Sequence, residues 1–149
     1  MLICWPRSGG SWLPAHLLRA DGDMLISLRA LIVDDSRDDV ELTARLLAES
    51  GFVPTWKQVR NEWEMVTGLC SGKWDLVLSD YILPDFSCLS AFMLLRRMKL
   101  RLPFVILYGA TCPDLAGVIR RLGVRDFVAK GDREALQDAV VQRLTHPWA

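Results

Sequence analysis

Four charged residues in this chain stand directly after short, largely apolar stretches. Asp34 and Asp35 follow Ala30-Leu-Ile-Val33, Asp80 follows Trp74-Asp-Leu-Val-Leu-Ser79, and Lys130 follows Asp126-Phe-Val-Ala129. Three carboxylates gathered in one crevice repel one another unless a cation sits among them or one takes up a proton. A hard divalent ion with oxygen ligands and retained waters answers that need, Mg²⁺ first among them. With Mg²⁺ and the Lys130 ammonium nearby, Asp80 stays ionised and can attack phosphorus as a nucleophile. Metal and lysine would then neutralise the phosphoryl oxygens in the transition state, and the product would be an aspartyl phosphate.

That chemistry requires elements that bring the four residues together. Ala30–Val33 is a continuous apolar run of the kind that forms a buried parallel strand. Ser36 suits an N-cap, Val40, Leu42, Leu46 and Leu47 fall roughly at helical spacing, and Gly51 closes the helix. Phe52–Val59 reads as a second strand, and Pro54 assigns it to an edge. Asn61 caps a second helix that Gly72 stops, and the third strand then runs to Asp80. A helix from about Ser87 to Leu100 carries Arg96, Arg97 and Lys99 at its negative end. Pro103–Tyr108 is the fourth strand, and Pro113–Leu122 predicts a fourth helix ended by Gly123. Asp126–Ala129 is the fifth strand, and Asp132 caps a last helix through Leu144. The alternation predicts an α/β fold, a doubly wound five-stranded parallel sheet with five helices, order 2-1-3-4-5. In that order strands one and three are neighbours at the topological reversal, where ligands bind outside the carboxyl ends of strands.

The chain has 149 residues, enough for one domain, expected over 29–145, with 1–28 as a loosely ordered tail. Half the residues are hydrophobic, so a core can form without disulfides. The 18 basic and 18 acidic residues cancel, which argues against direct nucleic-acid binding. Cys4, Cys70, Cys88 and Cys112 form no C-x-x-C pair and read as reduced, cytoplasmic thiols. Pro6, the Gly9-Gly10 pair and Pro14 interrupt the apolar start, so no secretory signal is expected. No stretch approaches the ~20 apolar residues of a membrane span.

The stretches Leu31-Ile-Val-Asp-Asp-Ser36, Leu76-Val-Leu-Ser-Asp-Tyr-Ile-Leu-Pro84 and Phe127-Val-Ala-Lys130 together resemble the receiver domains of two-component response regulators, a flavodoxin-like fold. The resemblance covers about Arg29 to Leu144. It implies that Asp80 is the phosphoacceptor and that Asp34 and Asp35 are the acidic pair, Asp35 favoured as the direct metal ligand. The backbone carbonyl of Ile82 would be the third protein ligand to Mg²⁺, and Lys130 would pair with the phosphate. Phe127 takes the place of the family's aromatic switch, or is an ordinary strand residue facing the core.

Departures from the family pattern are as informative. Tyr108 stands where Ser or Thr usually bonds the phosphoryl group, and its hydroxyl lies at the far end of a ring. Either the ring covers or leaves the pocket, or it packs against the last strand while the amides of Gly109 and Ala110 hold the phosphate. Gly131 replaces a common Pro after the lysine; a cis Lys130–Gly131 bond would cost about 2.5–4 kcal/mol, so a trans bond or an altered loop is expected. Cys88 replaces a common Gly. Apolar Ile82 and Ala110 cannot orient an attacking water, which predicts a long-lived phosphoryl group.

The resemblance implies a stand-alone signalling module, cytoplasmic and not an enzyme. It would take phosphate from a sensor histidine kinase or phosphotransfer protein and act on an unknown output protein. The alternative is a pseudo-receiver that binds partners without phosphorylation, which Tyr108 favours. A turnover enzyme is set aside, because neither a Gly-rich phosphate loop nor Asp-x-Asp follows the first strand. The output surface, or a homodimer contact, is expected on the fourth helix, fifth strand and fifth helix, with Arg120, Arg121 and Arg125.

Overall fold

A computed structural model describes residues 17–20, 23–84, 86–109, 117 and 126–145. The strands are β1 (Leu17–Ala20), β2 (Asp23–Val33), β3 (Phe52–Val59), β4 (Leu76–Asp80), β5 (Phe104–Tyr108) and β6 (Asp126–Ala129). The helices are α1 (Arg37–Glu49), α2 (Glu62–Ser71), α3 (Cys88–Arg97) and α4 (Arg133–Thr145). Strands β3-β2-β4-β5-β6 lie parallel in that spatial order, which is the expected 2-1-3-4-5. Four helices, not five, fall among the described residues; the one expected over 113–122 lies outside them, apart from Gly117. The expected output-face arginines, with Ala110 and Cys112, also lie outside.

The sheet departs from expectation at its start. The first core strand begins at Asp23 rather than near Arg29, and β1 pairs antiparallel with its opening residues, Leu17 opposite Ile26. Residues 17–20 and 23–28, expected as loose tail, are therefore strand. At Ile26 the partners of β2 are β1 and Phe52 of β3, and at Ala30 they are Trp56 of β3 and Leu76 of β4. Strand β1 thus occupies the edge of β2 that β4 takes up further along. Pro54 lies on β3, which pairs with β2 alone, so its missing N–H costs no ladder bond.

Alternation along the strands builds two cores. Leu31, Val33, Val77, Phe104 and Ile106 pack with Met65 and Leu69 of α2 and with Ala91, Leu94 and Leu95 of α3. The opposite face joins Leu28, Ala30, Ile32, Leu76, Leu78, Val105 and Leu107 to Val40 and Leu47 of α1 and to Leu136 and Val140 of α4. A sheet covered on both faces has apolar residues at nearly every position, and all five residues of β4 are buried.

The helix ends follow local chemistry. The side chains of Ser36, Asn61 and Ser87 accept from the amides of Asp39, Glu64 and Ser90, capping α1, α2 and α3. Helix α3 stops at Arg97, short of the expected Leu100. Lys99 adopts φ 57°, and the amides of Lys99 and Leu100 donate to the carbonyls of Arg96 and Leu95. That left-handed residue satisfies the last carbonyls without a glycine.

Candidate functional site

Parallel packing sends the carboxyl ends of β2, β4 and β6 to the same side of the sheet. Asp34 follows β2 immediately, Asp80 is the last residue of β4, and Lys130 follows β6. The three expected carboxylates do converge: Asp34, Asp35 and Asp80 each offer an oxygen, and these atoms lie within 4.8 Å of one another.

Each carboxylate has a different environment. Asp34 is buried; its Oδ1 accepts from the Ser36 amide at 2.9 Å and its Oδ2 from Lys130 Nζ at 3.2 Å. Its backbone is fixed by the Val59 carbonyl and the Gln58 side-chain amide of β3. Asp35 is exposed, and its carboxylate has no hydrogen-bond donor among the described residues. Asp80 is 8% exposed; its Oδ2 lies 3.2 Å from Lys130 Nζ, and its Oδ1 has one long bond, 3.4 Å, from the Ile82 amide.

Burial pushes the carboxyls of Asp34 and Asp80 above the usual range. For Asp34 the Ser36 amide and the Lys130 ammonium oppose that rise; for Asp80 the ammonium is the main opponent. Burial alone would lower the lysine. The Asp39 hydrogen bond and the charges of Asp34 and Asp80 outweigh it and hold Lys130 above its ordinary value, firmly protonated.

The lysine is the surprise of the site. Its shortest contact is with neither expected aspartate but with Asp39, in the first turn of α1, 2.8 Å from Nζ. Sequence reasoning passed over Asp39. The available signal was an acidic residue one helical turn beyond the strand-end pair, on the side facing the fifth strand.

The remaining expected residues are close by. Tyr108 and Phe127 pack ring against ring, centroids 6.0 Å apart and tilted by 52°. Both lie on the α2–α3 side of the sheet, since Phe127 is the register partner of Ile106. Of the alternatives for Tyr108, packing against the last strand is the one observed, and its hydroxyl has no hydrogen-bond partner among the described residues. Phe127 is 37% exposed. Gly109 is exposed and follows β5 directly. The Ile82 side chain is exposed, and its observed contact with Asp80 is made by the amide. No cis peptide bond occurs among the described residues, so Lys130–Gly131 is trans. Gly131 has φ +86°, and the Asp132 amide donates to the Ala129 carbonyl, the pattern of a type II turn with Gly at its third position.

The donor set fits a divalent cation. Three aspartates, Asp34, Asp39 and Asp80, surround the Lys130 ammonium and Asp35 stands beside them, leaving excess negative charge. Asp35 is unengaged among the described residues, and Asp80 Oδ1 has acceptor capacity to spare. No helix among the described residues is long and apolar enough to cross a membrane.

Comparison with known proteins agrees with this geometry. The family model described as the response regulator receiver domain matches residues 30–141. No curated protein sequence matches. Among solved structures, the N-terminal signal receiver domain of a two-component response regulator from Bacteroides fragilis superposes with TM-score 0.67 at 23% identity. The match covers 79% of this chain and 97% of that one. The signal receiver domain of a signal transduction histidine kinase from Syntrophus aciditrophicus gives TM-score 0.60 at 27% identity, covering 81% and 92%. A response regulator receiver domain from Clostridium thermocellum gives 0.65 at 18%, covering 80% and 96%. The family match spans well over half the sequence and includes every residue of the acidic cluster and its lysine, so the chain belongs to the response regulator receiver domain family.

Proposed function

We propose that this domain accepts a phosphoryl group on Asp80 in a Mg²⁺-dependent reaction and transmits its state through protein–protein contacts. The observation that carries the reading is the convergence of Asp34, Asp35 and Asp80, with carboxylate oxygens within 4.8 Å of one another and the Lys130 ammonium 3.2 Å from Asp34 and from Asp80. A cluster of that charge has little structural use without a cation and an anionic ligand.

Asp34, Asp35 and Asp80 would hold the ion, with the Ile82 carbonyl as a further ligand. Bound there, Mg²⁺ would offset the charge on the phosphoryl oxygens. A carboxylate oxygen of Asp80 attacks phosphorus; the new O–P bond forms as the bond to the donor breaks, and the donor leaves with that electron pair. With a phosphohistidine donor the departing group is the imidazole, which then takes a proton from solvent. Lys130 faces Asp80 and supplies positive charge to the phosphoryl oxygens, with the Gly109 amide as a further donor. In this reading the domain is loaded once by its donor and serves as a switch rather than an enzyme. A sensor histidine kinase or phosphotransfer protein fits as phosphoryl source, in the cytoplasm, with an output protein or a second copy reading the result.

A second reading has its own observation. Tyr108 packs on Phe127 instead of offering a short hydroxyl to the site, which favours a pseudo-receiver that binds partners without phosphorylation. Intact-mass measurement after incubation with acetyl phosphate and Mg²⁺ separates the two. One added phosphoryl mass in the parent and none in Asp80→Asn supports the phosphoacceptor. No addition in folded, Mg²⁺-binding parent protein supports the pseudo-receiver.

A further inference from the structure

The cap of α1 is built in an unusual way. Ser36 is the N-cap, its Oγ accepting from the Asp39 amide at 3.3 Å, so Asp39 stands at the third helical position. In a capping box the acid at that position would reach back to the N-cap amide. Here the Ser36 amide is taken by Asp34 Oδ1 at 2.9 Å. The Asp39 carboxylate is released from capping and turns to Lys130 Nζ instead, at 2.8 Å.

An ammonium has three N–H donors. Three carboxylate oxygens stand around Nζ: Asp39 at 2.8 Å, Asp34 at 3.2 Å and Asp80 at 3.2 Å. A phosphoryl group on Asp80 takes over that residue's share of the ammonium and brings further anionic oxygens, which draw Nζ away from its two hydrogen-bonded carboxylates, Asp34 and Asp39. Of these two, one yields more readily. Asp34 is buried and tied to Ser36, whereas the Asp39 side chain is 42% exposed, so water can replace the lysine there at the least cost.

Resting on the phosphoacceptor reading, we propose that Asp39 is a positioning residue that holds the Lys130 ammonium in the unphosphorylated protein and competes for it with the phosphoryl group. Phosphorylation then loosens the tie between the first turn of α1 and the turn after β6. Asp39 sets how readily the site takes its anion.

The test uses beryllofluoride with Mg²⁺, a stable mimic of a phosphoryl group on a carboxylate. Its apparent dissociation constant is measured for the parent, Asp39→Asn, Asp39→Glu, Lys130→Met and the Asp39→Asn/Lys130→Met double variant, each checked for folding by circular dichroism. Asp39→Asn should bind beryllofluoride about 3- to 10-fold more tightly, the worth of one partly exposed charge-assisted contact. It should also lower the acetyl phosphate concentration that half-saturates labelling, with little change in the maximal rate. Asp39→Glu should stay near the parent. In the Lys130→Met background the Asp39→Asn effect should vanish, because there is no ammonium to release. Unchanged affinity in Asp39→Asn, or the same gain with Lys130 absent, overturns the role of Asp39 and leaves the phosphoacceptor reading intact. A folded parent that binds neither beryllofluoride nor phosphate overturns both.

Discussion

Replacing Asp80 by Asn should make the metal-free protein more stable while abolishing its proposed chemistry. Asp80 is 8% exposed, and its carboxylate interacts with three charges. Lys130 Nζ at 3.2 Å attracts it by about 5 kcal/mol at an effective dielectric constant near 20. Asp34, within 4.8 Å, repels it by about 3.5 kcal/mol on the same basis, and exposed Asp35 by about 1 kcal/mol at the dielectric constant of water. Attraction and repulsion nearly cancel, and Lys130 keeps Asp34 and Asp39 as partners in the variant. What remains is the cost of burying the Asp80 charge, the same cause that raises its pKa. For a site open at its mouth we take about 1–2 kcal/mol, which corresponds to roughly 2–8 °C in Tm. The assay is thermal unfolding of parent and Asp80→Asn in EDTA, repeated in saturating Mg²⁺. The variant should melt higher in EDTA, and Mg²⁺ should close or reverse the gap because it binds the parent better. Acidification should close it too. A carboxyl whose folded pKa is raised contributes most below its unfolded pKa, and that contribution is lost as pH rises through the folded value. A variant equal to or less stable than the parent in EDTA at neutral pH would refute the reasoning.

Other positions give sharper local tests. Gly131→Ala should destabilise by about 1–2 kcal/mol in urea unfolding, purely through its positive φ, because an added Cβ meets nothing within 4 Å. Asn61→Ala removes the acceptor for the Glu64 amide and should cost about 1 kcal/mol by the same measurement. Cys88 is buried and its thiol is pushed up to about 11, so iodoacetamide at pH 8 should label exposed Cys70 and spare Cys88 until the protein unfolds. Equal labelling of the two in native protein would contradict the packing of α3 against the sheet.

The strands and their order were legible because buried parallel strands are short apolar runs, and each here ends in a polar residue or turn signal. Pro54 marked the edge strand for a reason the geometry bears out. The opening of β2 was hidden: Met24-Leu25-Ile26 is a run of only three apolar residues, separated from Ala30–Val33 by Ser27 and Arg29, and its partner β1 offers only pairing within a hairpin. The end of α3 was misplaced because Lys99 takes a left-handed conformation that its type does not announce. In the site, Asp34, Asp35, Asp80 and Lys130 were readable from their places at strand ends. Asp39 was not, since its role depends on Ser36 donating its amide to Asp34, a choice made by three-dimensional packing. The direction of the Tyr108 ring was equally open in sequence and is set by Phe127 on the neighbouring strand.

The central claim, that Asp80 is the residue that becomes phosphorylated, is tested most directly by borohydride reduction followed by peptide sequencing in the mass spectrometer. After acetyl phosphate and Mg²⁺ treatment, reduction converts an aspartyl phosphate to homoserine and marks its position. The account predicts homoserine at position 80, dependent on Mg²⁺. Homoserine at position 34, 35 or 39, or none at all in folded protein that binds Mg²⁺, would contradict it.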